Sequence, residues 1–403
     1  MNELLIKNVN IIDWCQNFHG DVYIKNGIIE ELGKDLNKNC EIFDGRGLTL
    51  LPSFIDMHAH FRDPGFTYKE DILTGSRAAV KGGYTMVNLM ANTKPICSSN
   101  KEVEYVLEKG KEIGLVDIHQ CMSITKDFSG DDISHLDSID KKVKIISEDG
   151  KDVMNTRVLI EAMFKAKEKD LIVMCHSEEH DVTNLDTRLS ENLMTWRNIA
   201  LSEFTDCKVH IAHVSTKESM EYIKNAKKKG LKVTCEVAPH HIALTNKIFY
   251  RVNPPLREEE DIKVLIEAIK EDLVDCIGTD HAPHSKEDKL KGSPGISGIE
   301  TSFSTCYTKL VHNNHISLSK LSKIMSKNPA DILGVNKGEI KIGREADLVL
   351  VDTKEEYKVK SEEFHSKGKN TPMDGMYLKG RVKVTFKAGC IVYSEFNRKR
   401  KDE

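Results

Sequence analysis

The sequence predicts an α/β fold centred on a TIM-type (β/α)8 barrel, with a small β domain built from both chain ends. Between residues 51 and 339, apolar strand-like runs alternate with amphipathic stretches rich in Lys, Glu, Ala and Leu. This alternation is the rhythm of a parallel sheet with helical crossovers. Residues 1–50 and 340–403 instead hold short strand-like runs separated by turn residues. We therefore expect a barrel domain over 51–339 and a second domain from 1–50 plus 340–403.

The two ends of the chain have a similar β-rich texture. The first contains LLIKNVNII and DVYIKNGIIEELG, with Asn26-Gly27 as a hairpin-type turn. The last contains GEIKIGREADLVLVD and GRVKVTFKAGCIVYSE, with turns at Gly380 and Gly389. These remote segments are expected to pair in one small sheet domain.

The barrel segment contains eight candidate strands. They lie near Ile55, Val87, Ile118, Ile145, Val173, Ile211, Val233 and Ile277. In a barrel of this type the chemistry lies at the carboxyl ends of the strands. Most polar residues of interest follow these strands directly, so we expect the functional site at that end.

Composition argues against several classes of function. Of the 403 residues, 39% are apolar and 30% are charged, and the formal net charge is −4 with lysines interspersed among acidic residues. This balance leaves no electrostatic footprint for nucleic acid or a membrane surface. No apolar run approaches the roughly 20 residues needed to span a bilayer. We expect a small-molecule substrate and neither a nucleic-acid nor a membrane partner.

Cysteine usage and the opening segment indicate a compartment. Ten cysteines are scattered from Cys15 to Cys390 without a CxxC pair. The opening MNELLIKNVNIID has no secretory signal pattern. Reduced thiols and a cytoplasmic location are therefore expected.

The clearest chemical signal is the segment DMHAH, which holds His58 and His60 at the end of the first barrel strand. Alternate positions of a strand point the same way, so both imidazoles face inward. Such a pair alone is as readily a coincidence as a ligand pair. Further ligand types follow later strands, namely His176, His213 and Asp280. Imidazole and carboxylate suit Zn²⁺, Mn²⁺, Co²⁺ or Fe²⁺, so the sequence predicts a metal site at the barrel mouth.

This ligand pattern resembles the amidohydrolase superfamily, in which HxH follows strand one, histidines follow strands five and six, and aspartate follows strand eight. Within it, the segments HAHFRDPG, MANTKP, VNPPLR and GTDHAPH are similar to those of single-function bacterial (class I) dihydroorotases. The resemblance covers essentially the whole chain and implies a barrel carrying a small β-sandwich. It also implies the reversible interconversion of dihydroorotate and N-carbamoyl-L-aspartate in pyrimidine biosynthesis.

The same resemblance implies a zinc cofactor, with two ions per subunit for which Mn²⁺ or Co²⁺ can substitute. It makes ligands of His58, His60, Asp149, His176, His213 and Asp280. The bridging aspartate is expected in the loop after strand four, where Asp149 precedes Gly150 and Glu148 stands where the family often has another aspartate. The rival bridge is a carboxylated Lys144, which the alternation along the strand instead favours as an outward-facing residue.

Arg62 is the expected partner of a substrate carboxylate. It lies two positions beyond His60, and its planar guanidinium suits bidentate carboxylate binding. A hydrolase of neutral cyclic amides would not need a cation there. The alternative interpretation is an ordinary surface arginine.

The resemblance assigns the remaining substrate contacts. It implies substrate binding by His60, Phe61, Arg62, Asn92, Asn253, His284, Pro294 and Gly295. Asn92 and His284 are expected to bind the carboxylate with Arg62, and Asn253 to bind the ring amide. The family usually has an aromatic residue where this chain has Pro294, and isolated asparagines otherwise often cap loops.

Asp280 is the expected catalytic residue. The resemblance implies that metal-activated water attacks the ring amide and that Asp280 carries its proton to the leaving ring nitrogen. His240, His241 and His281 would overfill a binuclear site and are expected to have supporting or structural roles. A nucleophilic Cys175 is disfavoured because it and the neighbouring histidine point to opposite strand faces.

Two alternative functions stay open at this point. An allantoinase or dihydropyrimidinase would share the metal site, and Arg62 is the main argument against it. A catalytically inactive barrel could instead act as a scaffold for aspartate carbamoyltransferase, although a scaffold has no need of a complete ligand set. Association with that enzyme, and a homodimer formed through outer helices, leave no readable signature in the sequence.

Overall fold

The computed structural model describes residues 3–396 of the chain. The strands, β1 to β16 in chain order, span Glu3–Ile12, Asn17–Lys25, Ile28–Gly33, Glu41–Asp44, Thr49–Pro52, Phe54–Ala59, Tyr84–Leu89, Asp117–Gln120, Ile145–Ser147, Ile172–Cys175, Lys208–Ile211, Val233–Val237, Cys276–Ile277, Leu348–Lys358, Tyr377–Lys387 and Cys390–Ser394. The α-helices, α1 to α12, span Ile72–Lys81, Asn100–Ile113, Thr156–Glu168, His180–Thr183, Thr187–Thr205, Lys217–Lys228, Pro239–Ala243, Glu259–Lys270, Lys286–Leu290, Ser302–Cys306, Leu318–Ser322 and Asn328–Leu333. Short 3-10 helices span Lys126–Phe128, Ser134–Ser138 and Ser361–Glu363, and π-helical turns span Tyr307–His312 and Lys323–Lys327. Residues 1–2 and 397–403, which belong to the predicted second domain, lie outside the described residues.

A strand forms at each of the eight positions predicted for the barrel. β6 to β8 form one parallel sheet and β9 to β13 form a second, each in chain order. A single bridge between Met122 and Ile146 links one pair of sheet edges, and one between Ala59 and His281 links the other. Within residues 3–396 no continuous ladder closes the ring, because β9 has only three residues and β13 only two.

The helices of this segment bury apolar faces against the strands, as α1 illustrates. Its first turn is held by a capping box, in which the Asp71 side chain accepts from the Thr74 backbone N–H while the Thr74 hydroxyl accepts from the Asp71 N–H. Farther along, Ala78 and Val80 join the large core cluster between helices and strands. This packing holds the strands in place, so that the polar side chains at their carboxyl ends lie near one another.

The two chain ends pair in one eight-stranded mixed sheet of order β16-β15-β14-β5-β1-β2-β3, with β4 paired to β1. β5 joins the ends, because it pairs with β1 in parallel and with β14 antiparallel. Asn26 and Gly27 both have positive φ, at the turn between β2 and β3 that the sequence predicted. The two remote chain ends thus pair with each other, as the sequence predicted. Within residues 3–396 their hydrogen bonds form one continuous sheet, instead of the two separate sheets expected of a sandwich.

Two further features concern the helices and the cysteines. No helix within residues 3–396 is long and apolar enough to cross a membrane. Seven cysteines are buried free thiols: Cys97, Cys121, Cys175, Cys207, Cys235, Cys276 and Cys306. Burial raises the pKa of Cys97 to about 12 and that of Cys207 to about 12, so these thiols are protonated and unreactive.

Candidate metal centre and substrate pocket

Two histidines at the end of β6 face two aspartates from later strands. The Nε2 atom of His58 lies 3.2 Å from Asp149 Oδ1 and 3.8 Å from Asp280 Oδ1. The Nε2 atom of His60 lies 3.5 Å from Asp149 Oδ2 and 3.2 Å from Asp280 Oδ1. All four side chains are buried. The structure therefore brings together carboxylates and imidazoles that are up to 222 positions apart along the chain (280 − 58).

Asp149 belongs to two groups of potential metal ligands. One group is His58, His60 and Asp149, and the other is Asp149, His176 and His213. Within each group the ligand atoms lie within 4.8 Å of one another. One carboxylate is thus placed to contact two cations. Lys144, the rival bridge, is exposed and precedes β9, at the opposite end of that strand from Asp149.

Three residues at this mouth have an unusual backbone conformation. The φ angles are 31° at His213, 45° at Asp280 and 59° at Arg62. Residues other than glycine rarely occupy this left-handed region. Such conformations persist where the surrounding structure imposes them, and they collect at functional sites. No residue type at these positions signals this in the sequence.

The cluster fits divalent cations. His58 Nε2, His176 Nδ1 and His213 Nδ1 are buried and have no hydrogen-bond partner within residues 3–396. Buried polar atoms without a partner are rare and costly, and a cation would satisfy them. Nitrogen and carboxylate oxygen are also the ligand types of zinc and related first-row metals.

The charges of the cluster alter its own titration. Burial lowers the pKa of His213 to about 3, and the neighbouring His176 and His58 act in the same direction. Burial also lowers the pKa of His58, but the carboxylates of Asp149 and Glu236 outweigh it and raise that pKa well above its ordinary value. Burial would raise the pKa of Asp149, yet His58 and His60 hold it well below its ordinary value. Because ligating histidines must be neutral, a cation would displace the proton that His58 holds here.

Two buried carboxylates that the sequence analysis had given no role support His58. Glu236 Oε1 accepts from His58 Nδ1 over 2.7 Å. Asp56 Oδ1 accepts from the backbone N–H of His58 over 3.1 Å and from that of Thr279 over 2.9 Å, which ties β6 to the loop after β13. The sequence could have indicated Glu236, because it is a charged residue inside the mostly apolar strand VTCEV.

One cavity of about 210 Å³ collects most of the predicted site residues. Its walls include His60, Arg62, Asn92, Asp149, His176, His213, Asn253, Asp280, His284, Pro294 and Gly295. His58 is fully buried and does not line it. A larger cavity of about 740 Å³ adjoins it and shares Gly150, Asn253 and Pro294. Most candidate metal ligands and the predicted substrate-binding residues therefore line adjoining cavities.

Arg62 lies in the wall of this cavity with an unused donor. Its Nη2 atom is 3.5 Å from His284 Nε2, and its Nε is buried without a hydrogen-bond partner within residues 3–396. Burial lowers the pKa of His284 to about 3, and the charges of Arg62 and Lys69 lower it further in the same direction. A guanidinium beside a neutral imidazole is a suitable place for a carboxylate.

The two predicted asparagines line the cavity but are already hydrogen-bonded to protein groups. Asn92 Oδ1 accepts from His60 Nδ1 over 2.9 Å, and its Nδ2 donates to Asp149 Oδ2 over 3.3 Å. Asn253 Nδ2 donates to Glu178 Oε2 over 2.8 Å. Asn92 therefore supports two candidate metal ligands, a role that differs from the predicted contact with the substrate carboxylate.

The structure does not bring the Phe61 side chain into either cavity. Phe61 is 1% exposed and packs in the large core cluster, with its ring edge-on to His281 at 6.3 Å between centroids. The predicted substrate contact thus finds no support in this side chain, because the residue between His60 and Arg62 points away from the mouth. Burial likewise raises the pKa of Cys175 well above its ordinary value, which leaves an inert thiol.

The additional histidines lie behind the site. His241 Nε2 donates to the Pro254 carbonyl over 2.9 Å, and His281 Nε2 lies 3.4 Å from Glu70 Oε2. Neither they nor His240 line the 210 Å³ cavity. Their surroundings fit the supporting or structural roles expected of them.

Comparison with known proteins assigns the chain to a family. Residues 49–392 match the family model described as Amidohydrolase family. The chain is a member of the amidohydrolase family. The match begins at β5 and ends within β16, so it includes both parallel sheets and the strands that join the chain ends. The resemblance inferred from the motifs is confirmed.

Three curated relatives of this amidohydrolase share the name dihydroorotase. It is 53% identical over 397 residues to the dihydroorotase of Clostridium botulinum (strain Eklund 17B / Type B), an alignment that covers 98% of this chain and 100% of the relative. It is 40% identical over 429 residues to the dihydroorotase of Thermoanaerobacter sp. (strain X514), covering 99% of each. It is 38% identical over 423 residues to that of Aquifex aeolicus (strain VF5), covering 98% and 100%. These identities place the chain among the dihydroorotases of the family.

Solved structures of lower identity share the fold. The L-hydantoinase (dihydropyrimidinase) of Arthrobacter aurescens aligns with a TM-score of 0.89 at 24% identity, covering 98% of this chain and 96% of that one. The dihydropyrimidinase of Brevibacillus agri NCHU1002 aligns with a TM-score of 0.85 at 24% identity, covering 97% and 95%. At this level of identity the likeness concerns the fold alone.

Proposed function

We propose that this amidohydrolase is a dihydroorotase, which interconverts dihydroorotate and N-carbamoyl-L-aspartate in pyrimidine biosynthesis. The observation that carries the proposal is Arg62, a half-buried residue in the wall of the cavity that also exposes Asp149 and Asp280. Its Nε is buried and has no hydrogen-bond partner within residues 3–396. A buried donor without a partner is costly, and a substrate carboxylate would supply the partner. Dihydroorotate carries that carboxylate, whereas hydantoin, dihydrouracil and allantoin do not.

The relatives support the same substrate. The proteins from Clostridium botulinum and Aquifex aeolicus that bear the name dihydroorotase align over at least 98% of this chain. The hydantoinases and dihydropyrimidinases share its fold at 24% identity or thereabouts. Arg62 is the residue of the site that favours a substrate with a carboxylate over the neutral rings that hydantoinases and dihydropyrimidinases hydrolyse.

The residues of the chain divide the work of ring opening between them. A metal supplies Lewis acidity and lowers the pKa of water towards about 7 when it is bound. Arg62 and His284 hold the carboxylate at one wall of the cavity. Asp280 lines the same cavity and lies 3.2 Å from His60, so it is placed to accept the proton of the attacking water. It then gives that proton to the ring nitrogen as the amide bond breaks, and ring closure reverses these steps.

We propose that the cluster holds two zinc ions, for which Mn²⁺ or Co²⁺ can substitute. His58, His60 and Asp149 would hold one, and Asp149, His176 and His213 the other, with Asp280 beside His60. The donors are all nitrogen and carboxylate oxygen, which supports a catalytic rather than a closed thiolate site.

We also propose that the two parallel sheets are one barrel over 51–339 and that the chain ends form a β-sandwich of 1–50 and 340–403. The single bridges at both seams support the barrel. Apolar residues of β1, β2, β3, β5, β14 and β15 share a separate core, which supports a sheet that folds over on itself. The buried free thiols support a cytoplasmic location.

The test is a substrate panel with metal-loaded protein. Loss of dihydroorotate is followed in the ultraviolet at mildly alkaline pH, beside hydantoin, dihydrouracil and allantoin. We expect turnover of dihydroorotate alone. Arg62→Ala should lower kcat/KM by about 30- to 4000-fold, which corresponds to the roughly 2–5 kcal/mol lost when one partner of a charge-assisted contact is removed. The kcat/KM of Arg62→Lys should lie between those of the parent and of Arg62→Ala, because an ammonium keeps the charge without the planar guanidinium geometry.

Arg157→Ala is the matched control, since Arg157 lies on α3 with 87% of its side chain exposed. Turnover of the neutral rings instead would assign the chain to the hydantoinase branch. Inactivity of a folded, metal-loaded protein on all four compounds would favour the scaffold role beside aspartate carbamoyltransferase. Gel filtration of the same samples, with and without that enzyme, tests the homodimer and the association.

A further inference from the structure

A buried carboxylate on β12, Glu236, contacts the metal cluster from outside. It is completely buried, in a strand whose other residues are mostly apolar. A buried charge is costly unless it is paired and hydrogen-bonded. It lines neither the 210 Å³ nor the 740 Å³ cavity, so it does not meet substrate.

Glu236 accepts hydrogen bonds from three groups on two other strands. His58 Nδ1 donates to Oε1 over 2.7 Å, and the backbone N–H of His213 donates to the same oxygen over 3.2 Å. His210 Nε2 lies 3.4 Å from Oε2. One carboxylate therefore holds a residue from each of the two ligand groups that share Asp149.

The contact with His58 decides which ring nitrogen faces the cluster. A neutral imidazole that binds a cation through Nε2 must carry its one proton on Nδ1, and the partner of Nδ1 selects that tautomer. Glu236 is the partner, since a carboxylate can only accept. Nε2 is left 3.2 Å from Asp149 Oδ1.

The contact with His213 holds a backbone that would otherwise relax. His213 has a φ of 31°, which residues other than glycine rarely adopt. Its N–H points to Glu236 and its ring stacks on His58 at 5.1 Å between centroids. The same carboxylate thus fixes the ring of one candidate ligand and the main chain of another.

The neighbouring strand end leaves room for this carboxylate. A Cβ atom at Gly278 would lie 2.2 Å from Glu236 Oε2. The φ angle of Gly278 is not positive, so an alanine there would suffer no backbone strain. Space for Glu236 is therefore the reason for glycine at position 278.

We propose that Glu236 is a positioning residue that sets how tightly the cluster holds its cations, by selecting the His58 tautomer and fixing His213. The proposal rests on the proposed function only in requiring that the cluster binds metal.

Zinc affinity measured by competition with a chromophoric chelator tests this without substrate. Glu236→Ala should bind Zn²⁺ about 10- to 100-fold more weakly than the parent protein. Glu236→Gln keeps an amide oxygen that accepts from His58, so its affinity should fall less. The visible spectrum of the Co²⁺ form should change in the Ala variant, because ligand orientation has changed, while circular dichroism shows the fold retained.

Two further variants guard against a merely destabilised protein. Glu191→Gln alters another buried carboxylate, which accepts from the Ser215 N–H and from Arg257 and touches no candidate ligand; its zinc affinity should equal that of the parent. Gly278→Ala displaces the Glu236 carboxylate without removing it and should weaken zinc binding. If Glu236→Ala does not fold, Gly278→Ala and Glu236→Gln carry the decision.

Parental zinc affinity and an unchanged Co²⁺ spectrum in a folded Glu236→Ala protein, or in Gly278→Ala where the former does not fold, would overturn the proposal. So would an equal loss of affinity in Glu236→Gln and Glu236→Ala, since the retained acceptor would then be irrelevant. Tight zinc binding without dihydroorotate turnover would instead refute the proposed substrate and leave the role of Glu236 intact.

Discussion

Asp280 faces two partners at once. Its Oδ1 lies 3.2 Å from His60 Nε2, and its side chain also lines the cavity of about 210 Å³. Burial would raise the pKa of Asp280, but hydrogen bonding to His60 and the charges of His58 and His60 hold it below its ordinary value. The carboxylate is therefore ionised at neutral pH and available as a proton acceptor.

Asp280→Asn tests this role. Asparagine keeps an oxygen donor towards the metal cluster but cannot take up a proton, so kcat should fall by about 100- to 10,000-fold. Metal content, measured on the same samples, should stay near that of the parent. Asp181→Asn is the matched control, because Asp181 is an exposed residue on α4. A variant with full kcat would remove Asp280 from the chemistry.

At the scale of elements, α1 supports the segment that carries Arg62. A Cβ atom at Gly75 would lie 2.6 Å from the Phe61 ring, which is itself buried in the core. Phe61 adjoins Arg62 in the chain, so displacement of the Phe61 ring would also move Arg62, the residue proposed to bind the substrate carboxylate. The core position of Phe61 thus gives it an indirect part in the site.

Gly75→Ala sets two effects against each other. Alanine is favoured over glycine within a helix by about 1 kcal/mol. Overpacking a tight core costs about 1–3 kcal/mol, and the contact here is with an aromatic ring that has no room to yield. We expect a lower free energy of unfolding, measured by urea denaturation, and a lower kcat/KM.

The double variant Gly75→Ala with Phe61→Leu provides the control, because a smaller side chain relieves the contact. It should recover part of the stability that Gly75→Ala loses, a coupling that a double-mutant cycle measures. A more stable Gly75→Ala protein would show that helix propensity outweighs the packing.

At the scale of the whole molecule, a group of charges joins the barrel segment to the sheet of the chain ends. Lys337 Nζ lies 2.9 Å from Asp117 Oδ2 and 2.5 Å from Asp347 Oδ2. Lys387 Nζ lies 2.8 Å from Asp117 Oδ1. Burial would raise the pKa of Asp117, but Lys337 and Lys387 outweigh it and hold the pKa below its ordinary value.

This shift predicts a pH-dependent stability. The unfolded chain titrates Asp117 near pH 4, above its folded pKa. The ionised carboxylate therefore stabilises the fold above about pH 4, and this contribution is lost as the pH falls through the lowered pKa. Asp117→Asn should be less stable than the parent at neutral pH and equally stable in acid, as urea unfolding at several pH values would show. A difference that is constant with pH would contradict the prediction.

Metal removal is the second prediction at this scale. The candidate ligands come from the ends of β6, β9, β10, β11 and β13, so a cation there crosslinks both parallel sheets. Free metal at about 100 times Kd adds about 2.7 kcal/mol to the stability. For a chain of 403 residues, chelation should therefore lower Tm by roughly 3 °C. Zn²⁺ should restore Tm and Ca²⁺ should not, whereas an unchanged Tm after complete chelation would argue against a cation in the cluster.

Local sequence patterns were enough to predict the class of fold and the type of site. Strand-like and helical periodicities alternate strongly enough to place all eight parallel strands. Alternation along a strand is a local geometric rule, so HxH at the end of β6 was sufficient to aim His58 and His60 together. The resemblance to family motifs added Asp149 and Arg62.

The residues that support the site could be recognised from the packing of the folded chain and not from the sequence. Glu236 reaches His58 across 178 positions of sequence, and no local pattern encodes a contact of that range. Asn92 hydrogen-bonds to His60 and Asp149 because neighbouring strands pack side by side. The Phe61 side chain points into the core, where it packs against α1. Long-range contacts depend on the packing of the whole chain, whereas periodicity and motifs report only on neighbours along it.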